Sequence, residues 1–136
     1  MLGGAITQWG DVNDVPVPGD YDADPAEDVA VWRPSTGTWW IQGSSPVQWG
    51  FAGDIPVPGD YDGNGKDEIA VWRPSTGYWY VQGSPGLQWG ATNDIPLAGD
   101  FDADPGEDIT AWRPESGTWY VQGSAGVQWG ASGDIP

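Results

Sequence analysis

The tripeptide Gln-Trp-Gly recurs at Trp9, Trp49, Trp89 and Trp129, forty residues apart each time. Gly-Asp-Tyr-Asp or Gly-Asp-Phe-Asp starts at Gly19, Gly59 and Gly99, and Trp-Arg-Pro at Trp32, Trp72 and Trp112, with the same spacing. So strict a period makes each unit one supersecondary element that cannot bury its apolar face alone, so that its neighbours must cover it. The chain divides into residues 1–15, the end of a preceding unit; three full units at 16–50, 51–90 and 91–130; and residues 131–136, the start of a further one.

Within a unit the pattern is that of short strands and turns. Residues 29–32 (VAVW), 39–42 (WWIQ) and 47–49 (VQW) are aromatic and β-branched, and Gly, Pro and Ser separate them. Residues 33–37 (RPSTG) and 43–46 (GSSP) supply the connecting turns. A fourth strand is expected over 16–22, where Pro16 and Pro18 lie two apart, so that their missing N–H groups share one side. That suits an edge strand whose other side pairs with its neighbour. Val29 and Val31 on one face, and Ala30 and Trp32 on the other, require cover on both sides. The expected fold is all-β: β-propeller blades of four antiparallel strands, the Pro-bearing strand innermost, with three blades per chain. A β-solenoid would use shorter coils and parallel strands, and a sandwich needs no such period.

Each unit carries one acidic loop. Counted from its first acid, the second loop reads Asp60, Asp62, Asn64, Gly65, Lys66 and Glu68 at positions 1, 3, 5, 6, 7 and 9. Alternate oxygen-bearing side chains, a Gly for the bend and a backbone carbonyl at position 7 suit calcium, which takes about six to eight oxygens at roughly 2.3–2.6 Å. The corresponding residues are Asp20, Asp22, Asp24, Ala26 and Asp28 in the first loop, and Asp100, Asp102, Asp104, Gly106 and Asp108 in the third. The competing reading is a solvated acidic turn. Three copies at fixed spacing, each just before a strand, favour the metal. Pro25 and Pro105 stand at position 6, where Gly permits a positive φ that Pro cannot adopt, while Asp24 and Asp104 add a charge over Asn64. Asp67, at the even position 8, is the acid least suited to ligation.

With this loop between two strands, residues 59–72 (GDYDGNGKDEIAVW) resemble the FG-GAP/VCBS repeats of integrin-alpha-like propellers, and the resemblance extends over all three units. Trp49-Gly50 stands where the family often has Phe-Gly, and Trp-Arg-Pro where it often has Gly-Ala-Pro. The resemblance implies calcium stiffening the inner hairpin of each blade and, from bacterial relatives, an extracellular or secreted setting. It does not fix a function, since propellers host many.

Composition removes several classes. The chain has no Cys and no His, so disulfides, thiol nucleophiles, thiolate metal sites and the commonest general base are absent. Ser35, Ser75 and Ser116 have no His to activate them, and nearly all the acids occupy repeated positions, so no enzyme is expected. A net charge of −16 argues against nucleic acid and anionic membranes, and no apolar run spans a bilayer. No signal peptide is visible in the chain. Arg33, Arg73 and Arg113 are expected to pair with carboxylates or stack on a ring. A lectin-like alternative places sugars on Trp39, Trp79 and Trp119, or on the following Trp40, Tyr80 and Tyr120, although aromatics alternating along strands more often fill space between blades.

Three blades do not close a ring when propellers typically use about four to eight or more. The expected partner is therefore the chain itself, docked head to tail: a dimer gives six blades and a trimer nine. The duplicated segments 3–16 and 123–136 compete for one place, which suggests an excised or engineered piece of a longer array.

Overall fold

The computed structural model describes residues 9–24, 26–101, 106–122 and 127–128. These residues are all-β and fall into three sheets of four strands each, every sheet an antiparallel meander in sequence order. The first holds β1 (Val15–Pro16), β2 (Ala30–Arg33), β3 (Thr38–Ile41) and β4 (Val47–Gln48). The second holds β5 (Ile55–Pro56), β6 (Ala70–Arg73), β7 (Tyr78–Val81) and β8 (Leu87–Gln88). The third holds β9 (Ile95–Gly99), β10 (Asp108–Arg113), β11 (Thr118–Val121) and β12 (Val127–Gln128).

The strand expected over 16–22 is much shorter, and proline is the reason. Pro16 pairs with Val31, and the Val17 N–H donates to the Ala30 carbonyl at 2.9 Å, so Pro16 and Pro18 direct their nitrogens away from the neighbouring strand. The ring of Pro18 holds φ near −65°, far from the roughly −140° of an antiparallel strand, and restricts Val17 before it. Beyond Pro18 the ladder shrinks to one bridge, Gly19 to Asp28, and beyond Pro58 to Gly59 with Glu68. The third unit has Ala98 at this position. There β9 runs unbroken to Gly99 and pairs with β10 from Asp108 onward.

The turn after β2 closes on Gly37, whose N–H donates to the Arg33 carbonyl at 2.8 Å with φ at +68°. A side chain at Gly37 would run into the Gly50 carbonyl. Gly77 repeats the arrangement at φ +74° against the Gly90 carbonyl, so both backbone conformation and close approach demand glycine.

The core lies between sheets. Val17, Ala30, Trp32, Trp39 and Ile41 of the first sheet's unit pack against Ile69 and Val71 of the second. Val57, Trp72 and Trp79 of the second unit in turn meet Ala98 and Ile109 of the third. Each interface is also pinned by a hydrogen bond at 2.8 Å from the Trp of Gln-Trp-Gly. Trp49 Nε1 donates to the Tyr80 carbonyl and Trp89 Nε1 to that of Tyr120, while Trp9 Nε1 reaches the Trp40 carbonyl. A Phe in this place could not donate.

This packing corrects the sugar-stacking reading at two positions. Trp39 and Trp79 are 0 % exposed, so neither has a ring face to offer a sugar. Their indole N–H groups donate to the Trp49 and Trp89 carbonyls at 3.0 and 2.9 Å, and Tyr21 and Tyr61 meet them edge-on. Trp119 is half-buried and lies beside Phe101, with ring centroids 5.9 Å apart.

Candidate metal centre

The second acidic loop connects β5 to β6 and folds around its own side chains. Asp60 accepts from the N–H groups of Asn64 and Gly65 at 3.0 and 2.9 Å. Asp62 accepts from the Asn64 N–H at 3.0 Å, and Asn64 Oδ1 accepts from the Lys66 N–H at 2.8 Å. Glu68 reaches back to accept from the Tyr61 N–H at 2.8 Å. Gly65 takes φ +92°, the bend that its place at position 6 leads one to expect. The outcome is that Asp60, Asp62 and Glu68 bring one carboxylate oxygen each within 4.8 Å of one another. Burial raises the pKa of Glu68, opposed by the Tyr61 hydrogen bond and reinforced by the Asp62 charge. An all-oxygen set of clustered carboxylates suits a hard cation, which would relieve that repulsion.

The first loop is built similarly but gathers a different trio: Asp20, Asp22 and Asp24 lie within the same 4.8 Å. Asp20 accepts from the Ala23 N–H at 2.7 Å, Asp22 from Asp24 at 3.0 Å, and Asp24 from Ala26 at 2.8 Å. Asp28 bonds the Tyr21 N–H at 2.9 Å and is not in the trio. Ala23 sits at φ +67° where the second loop has Gly63 at +73°. In the third loop Asp108 accepts from the Phe101 N–H at 2.7 Å, matching Asp28 and Glu68. Asp102, Asp104 and Pro105 lie outside the described residues, as does Pro25. Ala26, Lys66 and Gly106 enter the proposed ligand sets only through backbone carbonyls.

Two groups of acids do work that the sequence pattern did not reveal. Asp67 accepts from the Asp20 N–H at 3.0 Å and donates its own N–H to the Asp20 carbonyl at 2.7 Å. Glu107 repeats both bonds with Asp60, at 2.9 and 2.7 Å. Position 8 of the second and third loops therefore grips position 1 of the loop before it, tying neighbouring candidate metal sites together. Burial raises the pKa of Asp67, and the Asp20 N–H works against that.

The second group holds the arginines. Arg33 forks Asp14 at 3.0 and 2.9 Å, Arg73 forks Asp54 at 2.8 and 2.9 Å, and Arg113 forks Asp94 at 2.9 and 3.0 Å. The guanidinium groups also lie over rings: Arg33 over Trp40, Arg73 over Tyr80 and Phe51, and Arg113 over Tyr120, at 4.5–5.0 Å. Each Asp closes a turn by accepting an N–H three residues back, from Asp11, Phe51 or Ala91. Their signal was present in the forty-residue recurrence of Asp14, Asp54 and Asp94, each just before the Val-Pro or Ile-Pro that opens a sheet. Nothing local joins them to an Arg nineteen residues away.

The Arg33–Asp14 pair makes stability pH-dependent. The Arg33 fork holds the Asp14 carboxyl below the usual range against the opposing effect of burial. A lowered folded pKa gives stability that is present above the unfolded value, near 4, and lost as pH falls through the folded value. The difference in urea midpoint between wild type and Asp14→Asn is therefore expected to shrink as pH falls from 6 towards 2. A difference that stays constant over that range would assign the contribution of Asp14 to packing instead of charge.

No family model, curated protein or solved structure matches the chain.

Proposed function

We propose that the chain is a non-catalytic, calcium-binding set of propeller blades of the FG-GAP/VCBS type, which associates head to tail into a closed ring. Its role is structural: a scaffold that holds its shape where millimolar calcium keeps modest sites filled, in an extracellular setting. The observation that carries this reading is the position of the carboxylate groups. Asp60, Asp62 and Glu68, and Asp20, Asp22 and Asp24, cluster in loops that also make the contact between neighbouring sheets. A cation there would neutralise repelling carboxylates and stiffen the inter-sheet contact in one step. In the second loop the ligands are Asp60, Asp62, Asn64, Glu68 and the Lys66 carbonyl. In the first loop the ligands are Asp20, Asp22 and Asp24, the three carboxylates that gather there.

Two further features support the blade reading. The sheets are four-stranded meanders of one repeat each, and each buries its apolar residues against the next. The Pro-bearing edge strand, suited to lining a channel, is followed at once by the acidic loop.

Chelation with EGTA is expected to lower the melting temperature by roughly 5–10 °C, and added calcium to restore it, through preferential binding to the folded state. Asp60→Asn and Glu68→Gln should each reduce that response. A melt indifferent to EGTA and calcium rejects the metal. The wild-type solution mass at micromolar concentration should be a small integer multiple of the chain mass, and a clean monomer rejects the ring.

A further inference from the structure

We infer that the inner half of the first sheet's outer face, marked by Glu27 and Val29, is the docking surface for the third sheet of a second copy of this chain. The inference rests on the ring reading and gives that ring its contact residues. The repeat itself provides the comparison. Val29, Ile69 and Ile109 occupy equivalent positions, one per unit. Ile69 is 6 % exposed because the first sheet covers it, and Ile109 packs on the second sheet, whereas Val29 is 43 % exposed. Glu27, Asp67 and Glu107 form a second equivalent set. Asp67 and Glu107 each make a pair of hydrogen bonds to the loop of the preceding unit. Glu27 is exposed and, among the described residues, meets no such loop.

The opposite end carries the complementary surface. Phe101 is 50 % exposed where Tyr21 and Tyr61 are half-buried, and Trp119 is half-buried where Trp39 and Trp79 are fully buried. Applying the unit-to-unit contact once more places the third sheet of a second copy on Val29, with Glu27 against Asp100. The outer half of the first sheet is already closed by the chain's own Trp9, bonded to the Trp40 carbonyl. A docking copy thus needs to fill only the inner half. Because the two surfaces differ, the contact is heterologous and ends only by closing a ring.

Both marker residues are exposed, so their substitution leaves the fold of one chain intact. In sedimentation equilibrium with calcium, Val29→Asp is expected to raise the dissociation constant at least a hundredfold. Glu27→Ala should raise it about tenfold, and Ser44→Asp, at an exposed position in the turn between β3 and β4, should leave it unchanged. A wild-type oligomer that Val29→Asp does not weaken overturns this surface and leaves the ring standing. A wild-type monomer overturns both, and slow hydrogen exchange around Val29 in that monomer would assign the face to the chain's own residues.

Discussion

Arg73→Met is expected to lower the free energy of unfolding by about 3 kcal/mol, the low end of what losing one partner of a buried ion pair costs. The asymmetry of the pair sets the sign and the size. The side chain of Asp54 is 2 % exposed and that of Arg73 24 %. Removing the arginine strands a carboxylate in the interior, where the Phe51 N–H is its only other partner among the hydrogen bonds described. Removing the carboxylate's charge with Asp54→Asn leaves the cation partly in water and still between Phe51 and Tyr80, at 4.9 and 4.7 Å from their centroids. That variant should cost less, about 1–2 kcal/mol. Arg73→Met combined with Asp54→Leu should recover part of the loss, because no buried charge then lacks a partner. Urea unfolding of the four proteins completes the cycle. An Asp54→Asn penalty equal to or above that of Arg73→Met would show that the fork matters for the turn more than for the charge.

The same pair shows where reading the sequence stops. The forty-residue period placed the sheets, because periodicity reports which residues are equivalent. It also placed the turns at Gly37 and Gly77, because positive φ has a compositional signature. The side to which Pro16 and Pro18 point follows from strand geometry, yet the shortness of β1 and β5 does not, since it depends on the fixed φ of proline as well as on its missing donor. Ala98, the one departure from proline at that position, lengthens the third sheet's ladder. The partners of the arginines were illegible for a different reason. With 20 acids in the chain, composition offers every Arg many candidates, and only register selects Asp14, Asp54 and Asp94. Asp67 lies outside the cluster of Asp60, Asp62 and Glu68, and its bond to Asp20, forty-seven residues away, depends on how one sheet stacks on the next. The first loop shows a similar limit. Equivalent positions predict an equivalent role for Asp28 and Glu68, yet Glu68 joins its trio and Asp28 does not.

The Trp at position 79 tests that stacking most severely. Trp79→Ala should destabilise the protein by about 3–5 kcal/mol, the sum of lost apolar burial and the cavity left behind. Its indole is 0 % exposed and sits in the interface between the second and third sheets, with its N–H on the Trp89 carbonyl at 2.9 Å and Tyr61 against its face at 6.3 Å. Trp39→Ala should cost a similar amount, because Trp39 occupies the equivalent place between the first and second sheets. Trp119 has the same position in the repeat but remains half-buried, so Trp119→Ala should cost a single chain about 1–2 kcal/mol less than either. If copies associate as proposed, that saving should disappear, because a second copy would cover Trp119 and make its loss as costly as that of Trp79. Measuring the three variants at protein concentrations below and above assembly separates the two terms. If Trp119→Ala matched Trp79→Ala at both concentrations, burial between neighbouring sheets would not be what ranks these residues. If it stayed milder at both, the third sheet would not be the one that the second copy covers.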